Sequence, residues 1–187
     1  WVGLFKIGKI DLIICESPPL FLGWTAVWLK RRNRARLLFN VSDLWPESAV
    51  ALGLVRNKTL IRLSTWLEMR CYERAALITC QTQGIVHDIA RRCPHKRVLW
   101  LPNGVDFDAI GTAERTMVND QFQALGIPAG SLVLAYAGIL GHAQGLEVVL
   151  HAAAQLGPQS GVHFLLIGEG PEKPMLATMK ASLELDH

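Results

Sequence analysis

Short unbroken apolar runs alternate along the chain with longer segments in which apolar residues recur every three or four positions. The runs Asp11–Cys15, Arg36–Val41, Ala76–Cys80, Arg97–Leu101, Leu132–Ala137 and Val162–Ile167 predict six strands. Between them the spacing predicts helices over Leu20–Arg32, Thr59–Arg74, Thr82–Arg92 and Leu146–Leu156, with a short one opened by Pro46 and closed by Gly53. Thr82 is an expected N-cap. In the second helix Leu63, Trp66, Leu67 and Cys71 mark one face, interrupted by Arg70; in the fourth the face is Leu146, Val149, Leu150, Ala153 and Ala154. Further helices are expected around Asn119–Leu125 and from Glu172 onward. Strands that are apolar throughout suit a parallel sheet covered on both faces, and strands separated by helices imply right-handed crossovers. The expected fold is α/β with two Rossmann-like modules. Four strands fall in residues 1–106, a connection in 107–130, and only two strands in 131–187.

Half of the 187 residues are apolar and 19% are charged, which excludes a disordered chain. The net charge of +3 hides an asymmetry. Residues 1–106 hold 16 Lys/Arg against 8 Asp/Glu, and residues 107–187 hold 3 against 8. A basic half suits anionic lipid, phosphorylated ligands or nucleic acid. Cys15, Cys71, Cys80 and Cys93 show no paired spacing, so no metal site is expected and the thiols read as small hydrophobes. No run reaches the 18 apolar residues of a spanning helix. The nearest, Pro18–Leu29, carries Trp24 and Trp28 and is followed by the basic stretch Lys30–Arg36. It reads as a core helix with a cationic last turn, and alternatively as a helix lying on an anionic membrane surface. The chain opens on Trp1 and ends inside a helical pattern, so it is read as a piece of a longer protein.

In open parallel sheets ligands bind beyond the carboxyl ends of the strands. The most suggestive loop there is Gly138–Gly145, with Gly138, Gly141, His142 and Gly145 between a buried strand and a helix. Glycines let backbone N–H groups approach an anion, and the helix N-terminus favours phosphate. The loop is neither a dinucleotide fingerprint nor a P-loop. Ser42-Asp43 and Trp45-Pro46-Glu47 place two carboxylates and an indole at another strand end, where Asp43 as an N-cap and Glu47 in the first helical turn are the structural alternative. His87, His95, His151 and His163 read as incidental. No nucleophile elbow and no His-Glu-x-x-His pair is present.

Taken together, Asn40–Ser48 with Leu52-Gly53, Glu73–Thr79, Pro102–Asp106, Tyr136-Ala137-Gly138, Gln144–Glu147 and Gly168–Pro171 resemble a GT-B glycosyltransferase of family 4. The resemblance is to the bacterial branch that builds surface polysaccharides, lipopolysaccharide included, with its L-fucosamine-type transferases. It implies two Rossmann-like domains across a cleft, the first taking the acceptor and the second a nucleotide-sugar. Residues Gly138, Gly141, His142, Gly145 and Lys173 would meet the donor diphosphate, and Gly168, Glu169 and Gly170 would form the neighbouring loop. Ser17, Asp43, Glu47, Asn103 and Gly104 would lie on the acceptor side. The family's basic residue and Lys in the glycine loop are replaced here by His142 and Gln144. Its N-terminal glycine loop would precede Trp1, and its E-x7-E motif would follow His187.

The resemblance implies a metal-independent, retaining transfer, without cofactor, from a nucleotide-sugar to a lipid-linked or glycan acceptor. It also implies a cytoplasmic protein, peripheral at the inner face of the plasma membrane, with no nucleic-acid partner. The rivals are a UDP-sugar epimerase on the same scaffold and a non-catalytic nucleotide-binding or membrane-docking module. Three expectations follow. The basic first half docks on anionic membrane; the 187-residue chain does not turn over alone; and the second module packs loosely, with its helix faces at Leu146/Val149/Leu150 and Met175/Leu176/Met179 partly exposed.

Overall fold

The computed structural model describes residues 8–107 and 121–185. They divide into two compact units between Val105 and Asp106. The chain is α/β with parallel sheets throughout.

The first unit runs β1 (Leu12–Ser17), α1 (Phe21–Asn33), β2 (Arg36–Val41), α2 (Glu47–Ala51), α3 (Lys58–Arg74), β3 (Leu77–Cys80), α4 (Gln83–Arg92) and β4 (Val98–Trp100). The strands lie in the order β1-β2-β3-β4, each parallel to its neighbour. Their register sets Cys15 beside Phe39, Phe39 beside Ile78, and Ile78 beside Val98. Side chains alternate across a sheet, so Leu37, Phe39, Val41, Ile78 and Cys80 share that face, and all are buried. Helices α1, α3 and α4 supply the rest of the same core through Ala26, Leu67, Cys71, Tyr72 and Ile89. Tyr72 meets Phe39 edge-on at 6.0 Å. A Cβ on Gly23 would lie 2.5 Å from Cys71 Sγ and 3.1 Å from the Phe39 ring, so α1 sits on the sheet through that glycine. All four thiols are free and buried, and burial pushes Cys71 up to about 12.

Two expectations are corrected in this unit. The opposite sheet face is only partly covered among the described residues: at the edges Leu12 and Ile14 are 54% and 69% exposed and Leu99 is exposed as well, whereas Thr79 in the middle of the sheet is buried. The buried stripe of α3 is Ser64, Leu67, Glu68, Cys71 and Tyr72, while Leu63 and Trp66 turn outward. The cause is a buried ion pair. Glu68 accepts from the Tyr72 hydroxyl at 2.8 Å and from Arg92 Nη1 at 3.0 Å, and a second guanidinium nitrogen closes on its other oxygen. Arg92 also reaches Asp88 at 3.2 Å. A carboxylate so partnered can be buried, and that rotates the helix away from its most apolar edge.

Helix ends follow their local chemistry. Asn57 Oδ1 accepts from the N–H groups of Thr59 and Leu60, and Thr82 Oγ1 from that of Ile85 at 3.3 Å. The last turn of α1 holds Lys30, Arg31 and Arg32, the charge sign the helix dipole favours there.

In the second unit, residues 121–124 are helical; Asn119 and Asp120 of the expected helix, and residues 108–120 of the expected connection, lie outside the described residues. Then come β5 (Leu132–Ala137), a 3-10 turn (His142–Gln144), α5 (Glu147–Leu156), β6 (Val162–Ile167) and α6 (Lys173–Ser182). Strands β5 and β6 pair in parallel over six residues each. The core joins Leu140, Leu146, Leu150, Ala153, Leu176 and Leu185. Of the helix faces expected to be partly exposed, Leu146, Leu150 and Leu176 are buried, each below 8% exposure, where α5 packs on α6 and on β6. Met175 is 41% exposed and Val149 and Met179 are half-buried, as expected. Exposed apolar surface lies on the strands at Leu132, Leu134 and Ile167 and on the helices at Val148, Leu156 and Met175.

Candidate functional site

The carboxyl ends of β1 and β2 hold a cluster of carboxylates and hydroxyls. Register sets Glu16 beside Asn40, and Asn40 beside Thr79, on the sheet face away from the core. Thr79 Oγ1 donates to Asn40 Oδ1 at 2.7 Å. The Ser42 hydroxyl donates to the Glu16 carboxylate. One residue on, Ser48 Oγ donates to Asp43 Oδ2 at 2.7 Å. Asp43 does not act as an N-cap, because that place is held by Pro46 without any side-chain bond to the helix. Glu47 stands exposed in the first turn of α2. Ser17 is 3% exposed and lies on the core face, and its carbonyl accepts from the Ser42 N–H at 2.9 Å. The carboxylate presented at the end of β1 is thus that of Glu16, a position that strand alternation alone could have separated from Ser17. Asn103 and Gly104 are exposed on the segment after β4.

Ionised carboxylates accept hydrogen bonds only. Glu16 and Asp43, each held by a serine hydroxyl, are therefore equipped to receive hydroxyl donors such as those of a sugar.

In the second unit the loops after β5 and β6 are joined by backbone bonds. Gly138 N–H donates to the Ile167 carbonyl and Leu140 N–H to the Glu169 carbonyl, both at 2.9 Å, and Glu172 N–H returns to the Leu140 carbonyl at 3.0 Å. A Cβ on Gly168 would stand 1.8 Å from the Gly138 oxygen, and one on Gly170 2.2 Å from the Leu140 oxygen. These glycines are what let the two loops touch. The Glu169 side chain turns outward and holds the Lys173 ammonium in an ion pair. Lys173, the first residue of α6, thus stands beside a carboxylate of the loop that precedes its helix.

The tip of the glycine loop remains, at Gly141, His142 and Ala143, with His142 and Ala143 exposed. Gln144 N–H closes the turn onto the Gly141 carbonyl at 3.1 Å. Gly145 then takes φ 59 and leads, through Leu146, into the ten-residue helix α5. Only glycine enters that left-handed conformation without strain. The loop therefore lies between the carboxyl end of a parallel strand and a helix N-terminus, where oriented amides and the helix dipole attract anions. His142 is its only titratable side chain. Among the described residues no group of three or more His, Cys, Asp or Glu side chains could hold a metal ion.

Residues 3–104 match the glycosyl transferase 4-like domain, over half of the chain. The chain belongs to this glycosyltransferase family. It is 24% identical over 178 residues to WcaI of Escherichia coli (strain K12), a protein named for glycosyl transfer in colanic acid biosynthesis; the match covers 91% of this chain and 43% of WcaI. Among solved structures, Anabaena Alr3699/HepE, crystallised with UDP-glucose, superposes with a TM-score of 0.70 at 19% identity, covering 95% of this chain and 46% of HepE. Sucrose-phosphate synthase of Thermosynechococcus elongatus gives 0.71 at 18% identity, covering 94% of this chain and 43% of the synthase. The chain thus spans less than half the length of these proteins. Its fold is the one they share over that part.

Proposed function

We propose that the chain contributes to a glycosyltransferase that moves a sugar from a nucleotide-sugar donor to a lipid-linked or glycan acceptor in the synthesis of a bacterial surface polysaccharide. The observation that carries this reading is the Gly138–Gly145 loop, set between β5 and the N-terminus of α5 in a chain of the glycosyl transferase 4-like family. HepE, which shares this fold, was crystallised with UDP and with UDP-glucose, and WcaI is named for glycosyl transfer in colanic acid biosynthesis.

In this reading the amides around Gly141 and His142, with Gly145 shaping the turn and Gly138 anchoring it, stabilise the charge that develops on a departing nucleoside diphosphate. Preorganised donors of this kind are the principal source of rate in many transferases. Lys173 adds a cation one loop away once it leaves Glu169. The Gly168-Glu169-Gly170 turn supports the donor loop from behind. Glu16 and Asp43, with Glu47, Asn103 and Gly104, orient acceptor hydroxyls, and Ser17 supports Ser42 from the core side. The transfer is retaining and needs neither metal nor cofactor. A cytoplasmic, peripheral position at the inner face of the plasma membrane belongs to the same reading.

The test is an assay of the complete protein with a panel of UDP- and GDP-sugars and lipid-linked acceptors, run with and without EDTA. Acceptor-dependent transfer that survives EDTA with retained anomeric configuration is expected. Conversion of the donor to its epimer without acceptor, or strict metal dependence, would overturn the proposal.

A further inference from the structure

Helix α1 buries only its smallest residues, Gly23 and Ala26. It turns Trp24 and Trp28 to solvent, 54% and 44% exposed, and α3 turns out Trp66 beside them, 45% exposed. The Trp24 and Trp66 rings lie 5.9 Å apart, and the Arg70 guanidinium stands 5.5 Å from the centre of Trp66. Together with Val27 they line an open groove of about 570 Å³, whose remaining walls are Lys30, Arg31, Arg34, Ala35, Arg70 and Arg74. Five cations surround three indoles, and no acidic side chain lines the groove.

Its place in the fold separates it from the strand-end cluster. Lys30–Ala35 leads into β2 and Arg74 closes α3 just before β3, so the basic rim lies at the amino-terminal end of the sheet. The six residues of β2 put roughly 20 Å between that end and the carboxylates of the strand tips.

We propose that this groove docks on the surface of an anionic phospholipid bilayer. Indoles with one apolar and one polar edge settle at headgroup level, and clustered Lys and Arg side chains meet lipid phosphates. The charge complementarity is one-sided: nothing acidic in the groove would repel the lipid, and a neutral surface would offer its five cations no counter-charge. Among the described residues no helix is long and apolar enough to cross the membrane. The glycosyl-transfer reading supplies only the setting. Intact transfer to a water-soluble acceptor with vesicle binding lost would separate the two.

Flotation of the 187-residue chain with vesicles of phosphatidylcholine, alone or with about one-third phosphatidylglycerol, tests it. Binding is expected to the anionic vesicles only, with a blue shift of tryptophan emission, and is expected to weaken steeply in high salt. Arg31→Glu with Arg70→Glu should lower vesicle affinity by ~25-fold or more, at roughly five-fold per cation. Trp24→Ser with Trp28→Ser should reduce the emission shift, leaving Trp66 as the groove's remaining indole, and weaken binding with every charge in place. Arg97→Glu, away from the groove, should change affinity less than either groove charge does. Circular dichroism checks that each variant folds, and Arg31→Gln at its exposed position carries the same test if the double reversal does not. Equal binding to neutral vesicles, absence of binding to anionic ones, or loss with Arg97→Glu equal to that with Arg31→Glu would overturn the proposal.

Discussion

A Cβ on Gly168 would meet the Gly138 carbonyl oxygen at 1.8 Å, whereas one on Gly141 would meet only the Gln144 side-chain oxygen, at 2.8 Å. The first obstacle is backbone and the second is the far end of a flexible side chain. Gly168→Ala should therefore lower the melting temperature of the second unit, at a cost of about 1–3 kcal/mol for forced overpacking. Gly141→Ala should leave the melt nearly unchanged and weaken nucleotide-sugar binding in the complete protein. Thermal denaturation followed by calorimetric titration checks both. Gly138 is a poorer probe, since its Cβ would stand 2.8 Å from the Tyr136 hydroxyl, which itself donates to the Ile139 carbonyl at 2.9 Å. In the sequence these glycines are indistinguishable. Their roles depend on which carbonyl of another loop lies opposite, a distance that local spacing does not encode. The same holds at the strand end of β1, where Ser17 and Glu16 are neighbours in sequence and lie on opposite faces of the sheet.

At the scale of elements, continuous apolar strands and their intervening helices were readable because burial in a parallel sheet leaves a direct mark on composition. All six strands stand within one or two residues of their expected places. Which edge of α3 turns inward was not readable. Leu63 and Trp66 are the more apolar edge, yet Glu68 is buried at 3% exposure because Arg92, one helix away, partners it. A buried carboxylate without its cation is strongly unfavourable. Arg92→Leu should thus destabilise the first unit by about 3–5 kcal/mol, and Arg92→Leu combined with Glu68→Gln should recover part of that loss. Urea unfolding of the single and double variants measures it. A single variant as stable as the parent would show that the α3–α4 clamp contributes nothing.

Across the whole molecule, the charge asymmetry in the sequence acquires an address. The surplus of Lys and Arg in the first 106 residues is concentrated in part around the tryptophan groove of the first unit, and the acidic second unit carries the glycine loop. Family membership rests on residues 3–104, so the donor-side assignment depends on the second unit's own geometry. That dependence makes the loop the place to test. The most direct measurement is a titration of the isotopically labelled chain with UDP, followed by amide NMR. Saturable shifts centred on Gly141, His142 and Gly145, spreading to the first turn of α5, are the predicted result. Shifts confined to the first unit, or none in the loop at millimolar UDP, would contradict the placement of the donor diphosphate.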